Sequence, residues 1–193
     1  MPRRRYIFDP PDRFVAGTIG EPGERTFFLQ AREGRRVVSV ALEKVQVAVL
    51  AERLGALLEE LGRRGVTELE VPDAPEPEAS ASDIDDSTLD EPLNEAFRAG
   101  SLTLGWDGGA GLVLVEARAQ DEDGEPIDPD EDDDEDDDGP DLLRVRMSAA
   151  AARGFVERAA RVVAAGRPPC PLCGAPLDPL GHICPRRNGH FVN

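Results

Sequence analysis

The C-terminal end of this chain imposes the strongest constraint on its fold, because every cysteine and histidine falls within its last 24 residues. Cys170 and Cys173 are separated by two residues, and the following Gly174 lets the chain turn so that both thiolates converge on one ion. The remaining donors of this kind are His182, Cys184 and His190. Three thiolates and one imidazole complete a tetrahedral site, so the sequence predicts a zinc-ribbon-like tail over residues 167–193.

The preferred ligand set is Cys170, Cys173, His182 and Cys184, with Zn²⁺ in a structural role. Gly-His-Ile-Cys-Pro repeats the tight geometry of the first pair, which favours His182, and His190 stays as the alternative fourth ligand. A disulfide would leave one cysteine over, and the N-terminus lacks the apolar segment of a secretion signal. A catalytic zinc keeps one position open for water, whereas four protein ligands are present here.

The net charge of −17 is concentrated in two acidic segments. Fifteen Asp or Glu residues lie between positions 119 and 143, and nine lie between 72 and 97. Neither stretch contains a Lys or Arg. Removing their combined −24 from the total leaves +7 for the rest of the chain. We therefore expect a mildly basic body and two disordered acidic segments, at 72–96 and 120–141. The run 130–138 is interpreted as a solubilising loop or as a polyanion covering a basic surface.

The first half of the chain predicts strands at 6–8, 13–20, 26–31 and 36–41, separated by Pro- and Gly-containing turns. We expect Asp9, Asp12 and Arg13 to form an ion pair that fixes the first turn. The apolar period then changes to three and four residues, which predicts a helix ending near Gly62 and a short strand at 67–71. The apolar residues on one face of this predicted helix are Leu42, Val45, Val49, Leu50, Leu54, Leu57, Leu58 and Leu61.

The second half repeats this order. Strands are predicted at 101–106, 112–119 and 142–147, followed by a helix that Ser148 caps and Gly166 ends. Its buried face is Phe155, Val156, Ala159, Val162 and Val163, and its outer face is Arg153, Glu157, Arg158 and Arg161. The predicted fold class is α+β, with duplicated strand-strand-strand-helix units at about 5–71 and 97–166. These would form one antiparallel sheet core with two helices around a pseudo-two-fold axis, within a domain spanning 1–166 that precedes the small zinc knuckle.

Several stretches resemble the DUF3090 family of actinobacterial proteins over nearly the whole chain. They are Phe8-Asp-Pro-Pro-Asp-Arg-Phe-Val-Ala-Gly-Thr, Pro22-Gly-Glu-Arg-Thr-Phe-Phe-Leu-Gln-Ala-Arg, 102–107, Leu142-Leu-Arg-Val-Arg and Gly166-Arg-Pro-Pro-Cys-Pro-Leu-Cys-Gly. The family has no known function, so the resemblance implies no reaction. It implies a tail of the form Gly-His-x-Cys-Pro-Arg, which favours His182, and a gene neighbourhood that includes a mycothiol-pathway ligase.

Three classes of function follow from these observations. The first is a non-enzymatic protein-binding or adaptor module with a protein partner. The second is a nucleic-acid-associated protein that uses the basic body and the zinc tail, including Arg186 and Arg187, and is regulated by its acidic tract. The third is an enzyme or redox-responsive factor linked to thiol metabolism. The first is favoured, because no phosphate loop, nucleophile elbow or histidine free of the metal is present. No apolar run is long enough to span a membrane, and a cytoplasmic location is expected.

Overall fold

The computed structural model describes residues 3–21, 23–65, 85–121, 123–125, 139–166, 170–173, 184 and 186. The elements within them are β1 (Arg5–Phe8), β2 (Arg13–Ile19), β3 (Thr26–Glu33), β4 (Arg36–Leu42), α1 (Lys44–Arg63), β5 (Glu95–Asp107), β6 (Leu112–Ala119), β7 (Leu142–Met147) and α2 (Ala149–Ala164). Neither helix combines the length and apolar character needed to cross a membrane. The predicted strand at 67–71 lies outside the described residues.

The strands form one mixed sheet in the order β1-β7-β6-β5-β4-β3-β2. Four neighbouring pairs are antiparallel, namely β2/β3, β3/β4, β5/β6 and β6/β7. The pairs β4/β5 and β1/β7 are parallel. The first of these follows from the connection, because α1 carries the chain back across the sheet between β4 and β5.

The α+β class is confirmed, with two helices and two consecutive strand-strand-strand-helix units. The expectation of a purely antiparallel sheet is wrong for the two parallel pairs. The sheet joins the last strand of the first unit, β4, to the first strand of the second, β5. The duplication and its pseudo-two-fold axis remain predictions.

The sheet is strongly curled. Its edge strands β1 and β2 would lie about 29 Å apart in a flat sheet of seven strands. Phe8 ends β1 and Arg13 begins β2, so the five peptide steps between them reach at most about 18 Å. Arg36 at the start of β4 confirms the curvature, because its guanidinium lies 4.6 Å from the centre of the Phe8 ring and donates to the Ile7 carbonyl at 3.1 Å.

The main core lies between the concave face of the sheet and the two helices. Phe14 of β2 stacks on Phe155 of α2, with ring centroids 4.8 Å apart. Met147, Val113 and Val115 bring the second unit into the same cluster. The Ser148 hydroxyl caps α2 as predicted, accepting a hydrogen bond from the Ala151 amide at 3.2 Å. Both units therefore share one core, and neither closes by itself.

The helical periodicity misplaced three side chains. Val45 and Val49 were predicted to be buried, but they are 65% and 45% exposed. Arg158 was predicted on the outer face of α2 and is only 6% exposed. Its position three residues after Phe155 places it at the border of the apolar face, where a partner from elsewhere in the chain decides whether a charge is buried.

Residues 85–94, here called the strap, cross the convex face of the first unit. Leu89 packs against Val15, Phe28 and Ala41 in a second, smaller apolar cluster. At the edge of β2, the Arg158 guanidinium donates to the Ala16 carbonyl at 2.8 Å and to the Ser87 carbonyl at 2.7 Å. The strap therefore covers one face of the sheet and closes its β2 edge.

Polar contacts hold the strap on the convex face. Arg13 pairs with Asp85 at 2.5 Å and with Asp90 at 2.8 Å. The Gln30 side chain donates to the Asp90 carbonyl at 3.0 Å and accepts from the Asp90 amide at 2.7 Å. These contacts satisfy the polar groups that the strap would otherwise bury without partners.

The expectation that 72–96 is one disordered acidic segment is therefore wrong for 85–96. Two of its carboxylates pair with Arg13, which lies outside the segment, and its last residues belong to β5. Counting charges within the segment could not reveal this distant cation. Similarly, Asp141 at the end of the second acidic segment pairs with Arg4 at 2.6 Å. The run 130–138 lies outside the described residues.

Gly17 should be essential for seating the strap. A Cβ at this position would lie 2.6 Å from Leu89 Cδ2 and 2.7 Å from Leu89 Cγ, well inside van der Waals contact. We expect Gly17→Ala to lower the free energy of unfolding by about 1–3 kcal/mol through overpacking, measured by urea denaturation. The control is Gly105→Ala, whose added Cβ would lie 3.5 Å from Leu114 and should cost less.

A double-variant cycle separates this contact from a general effect on β2. Leu89→Ala removes the atoms that clash, so Gly17→Ala should cost less in that background than in the natural sequence. Additive changes in the free energy of unfolding would contradict the proposed contact between Gly17 and Leu89.

Acid should weaken the attachment of the strap. Burial opposes ionisation of Asp85, but the Arg13 guanidinium and Ser87 outweigh it and hold the pKa of Asp85 at about 2. This value lies below the 3.8 of an unperturbed aspartate, so the stabilisation is complete above about pH 4 and is lost as the pH falls toward 2. Solvent screens the half-buried carboxylate, so we expect the cost of Asp85→Asn to shrink by about 1 kcal/mol across this window.

The measurement is the free energy of unfolding at a series of pH values. The control is Asp86→Asn, because the Asp86 side chain is 73% exposed beside Arg161 and should contribute under about 0.5 kcal/mol. A cost of Asp85→Asn that does not change as the pH falls through 3.8 toward 2 would rule out the carboxylate as the acid-sensitive attachment.

Candidate metal centre

The structure brings the three cysteines together as the sequence predicted. The sulfur atoms of Cys170, Cys173 and Cys184 all lie within 4.8 Å of one another, and those of Cys170 and Cys184 are 4.0 Å apart. Thiolates around a tetrahedral zinc, each about 2.3 Å from the ion, lie about 3.8 Å apart. A disulfide would require about 2.05 Å. The spacing therefore fits thiolates that share a metal ion, and none of the three cysteines forms a disulfide.

The backbone between the first two cysteines is folded around a sulfur atom. The amides of Cys173 and then Leu172 donate hydrogen bonds to the Cys170 sulfur and lower the pKa of that thiol. A lowered pKa favours the thiolate, which is the form that binds metals. Residues 171–173 form the turn that makes this possible. The turn follows directly from the two-residue spacing.

One arginine joins the two parts of the tail. The Arg186 guanidinium donates to the Leu172 carbonyl at 3.0 Å, which fixes the chain after Cys184 against the turn between Cys170 and Cys173. The sequence predicts only a phosphate contact for Arg186, because this hydrogen bond joins residues on either side of the turn. His182 and His190 lie outside the described residues, so the fourth ligand remains a prediction.

A cluster of buried ion pairs lies on the convex face of the second unit. Glu116 is 4% exposed and pairs with Arg118 at 3.0 Å and with Arg144. These three residues lie on neighbouring strands in register, with Glu116 opposite Arg144. The cluster therefore links β6 to β7 through these side chains.

The predicted ion pair within the 9–12 turn is wrong. Arg13 pairs instead with the strap, and Asp9 pairs with Arg146 at 2.8 Å. Asp12 accepts a hydrogen bond from the Gly34 amide at 2.6 Å. Each of these residues contacts a part of the chain that is distant in sequence, so the partners could not be inferred from the local pattern.

Two surface grooves are open along α1. One, of about 260 Å³, lies between α1 and α2 and is lined by Gly55, Leu58, Glu59, Arg153, Val156 and Glu157. The other, of about 270 Å³, lies between α1 and β5 and is lined by Val45, Gln46, Val49, Leu50, Arg53, Gly100, Leu102 and Leu104. We call the second the α1–β5 groove. Sequence reasoning missed it, because it depends on exposed residues that the pattern assigned to the core.

The fold and the site define an α+β protein in which a curled mixed sheet and two helices precede a cysteine cluster suited to bind a metal. The family model described as "Protein of unknown function (DUF3090)" matches residues 6–184, and the chain belongs to that family. Comparison with curated proteins and comparison with solved structures give no match.

Removing one thiolate should abolish metal binding and leave the body folded. We expect Cys170→Ser to lower the bound metal from one equivalent per chain to near zero, because serine is a poor ligand for a soft site. The change in the free energy of unfolding of the body should be small, because its core does not include the tail. Metal content is measured by elemental analysis after gentle purification, and stability by circular dichroism.

The matched control is Ser39→Ala. Ser39 lies in the body, so this substitution should leave the metal content unchanged. Absence of stoichiometric metal in the natural sequence would refute the metal centre.

Proposed function

We propose that this protein is a cytoplasmic zinc protein that acts as a non-enzymatic protein-binding or adaptor module. The metal is proposed to be Zn²⁺ in a structural site, held by Cys170, Cys173, Cys184 and His182. Thiolate-rich, tetrahedral sites of this kind favour zinc in proteins that do not carry out redox chemistry. His182 is preferred because the family match extends to residue 184, which includes His182 and leaves out His190.

The exposed apolar surface of the α1–β5 groove is the observation that carries the binding role. The helical periodicity predicts that Val45 and Val49 are buried, but both are exposed. Shallow apolar grooves with few polar groups suit a polypeptide better than a small polar substrate, whose site needs several convergent polar groups.

The charged clusters also support a binding role. Arg13, Asp85 and Asp90 hold the strap, and Glu116 is paired with Arg118 and Arg144. Each of these pairs contributes to the structure of the sheet. In the part of the chain that the structure describes, none of them opens onto either of the two grooves.

Affinity capture tests the proposed function. The tagged full chain is used as bait in extracts of cells that naturally express it, with and without nuclease, and bound proteins are identified by mass spectrometry. We expect a stoichiometric protein partner that survives nuclease treatment. Loss of all partners with nuclease would favour the nucleic-acid-associated alternative.

The identity of the metal is tested on the same preparation. We expect about one zinc per chain and its loss in His182→Ala, whereas His190→Ala should retain it. Retention of zinc in His182→Ala and loss in His190→Ala would show that the other histidine is the fourth ligand.

A further inference from the structure

β5 is longer than its neighbour β4, and this leaves part of its backbone edge without a strand. On that side, β5 pairs through Glu95, Phe97 and Arg98 with residues 39–41 of β4. The next two carbonyls, of Ala99 and Gly100, accept hydrogen bonds from the Gln46 side chain at 3.2 and 3.3 Å. Within the described ranges, no strand lies beside residues 101–107 on this side.

The opposite edge of the same stretch is fully paired. Residues 101–107 are in continuous antiparallel register with β6, from Arg118 to Leu112. In such a ladder, alternate residues direct their N–H and C=O groups away from the partner strand. The free edge is therefore preformed, because β6 fixes the backbone on its other side.

The α1–β5 groove lies along this edge. Leu102 and Leu104 contribute its sheet side, and Val45 and Val49 contribute its helix side. Gln46 belongs to both features, since it lines the groove and caps the carbonyls where the free edge begins. A chain that paired with residues 101–107 would place alternate side chains against these apolar residues.

We propose that the free edge of β5 and the α1–β5 groove bind an extended segment of a partner protein as an added strand. This inference rests on the proposed protein-binding function and specifies how the partner is recognised. The segment would carry apolar residues at alternate positions and an acidic residue facing Arg53, the charged side chain among the groove residues.

The sequence of the edge itself supports strand addition. Residues 101–107 contain no Lys and no Pro, the residues that proteins commonly use to prevent edge pairing. A helix lying in the groove would bury the same apolar side chains but would leave the backbone groups of the edge without partners. An added strand satisfies both the backbone and the side chains.

The probe is a displayed library of random peptides about ten residues long, which is enough to cover the free edge. The library is selected against the natural full chain. We expect the selected peptides to alternate apolar and polar residues and to carry an acidic residue at a constant offset. Selection of no binder, or of peptides with apolar residues at helical spacing, would overturn the proposal.

The best selected peptide is then tested against variants by fluorescence anisotropy. Val45→Asp and Val49→Asp replace exposed side chains, so the fold should tolerate them, and each should weaken binding about tenfold or more. Arg53→Glu should weaken binding of the acidic peptide about two- to fivefold and favour a peptide with Lys in its place. Ile19→Asp is the matched control, because Ile19 is 51% exposed on β2, away from the groove.

Two measurements isolate the backbone contribution. A peptide with N-methyl groups at the residues facing β5 should lose binding, whereas methylation of the alternate residues should be tolerated. Hydrogen exchange of alternate amides within 101–107 should slow when the selected, unmethylated peptide binds. Equal effects of both methylation patterns, or protection of α1 without protection of 101–107, would overturn strand addition.

The partner captured from cells distinguishes this inference from the proposed function. Loss of that partner with Val49→Asp and its retention with Ile19→Asp would support the β5 edge as the binding site. Retention with Val49→Asp would overturn this inference and leave the protein-binding function intact. Concentration-dependent dimerisation of the chain, abolished by Val49→Asp, would assign the edge to a second copy and also overturn it.

Discussion

Arg158 carries a buried charge at the point where α2, the edge strand β2 and the strap meet. Its guanidinium donates to the carbonyls of Ala16, Asp85 and Ser87. Burial lowers the pKa of Arg158, and Asp85 opposes that effect. Removing such a charge from water is tolerated only when its donors are satisfied, so each of the three elements depends on the other two.

This dependence explains how a short chain covers both faces of a sheet. The helices fill the concave face, and the strap, which connects α1 to β5 through residues outside the described ranges, covers the convex face of the first unit. Arg158 extends from the helical side around the β2 edge to the strap. The same contact occupies part of an edge that would otherwise be open to pairing with other chains.

The sequence by itself determined the local features. The two-residue spacing of Cys170 and Cys173 predicted that their sulfurs share a site, because a tight turn depends on adjacent residues. The structure places the sulfur of Cys184 beside them, as the sequence also predicted. The apolar periods predicted both helices, and the strands other than β5 to within two residues, since alternation and helical spacing are also local. β5 was predicted at 101–106 but begins at Glu95, because its first residues pair with β4, which the local pattern does not specify. The cap at Ser148 was predictable for the same reason.

Only the tertiary structure decided which elements meet. The parallel pairing of β4 with β5 depends on where α1 returns the chain, and the curvature depends on a connection between opposite edges of the sheet. Arg13 and Arg158 bind carboxylates and carbonyls that lie more than 70 residues away in sequence. Because of these contacts, a segment that the sequence predicted to be disordered is a packed strap. Val45 and Val49 remained exposed because no described element covers that side of α1, and periodicity specifies which side chains are apolar but not what will cover them.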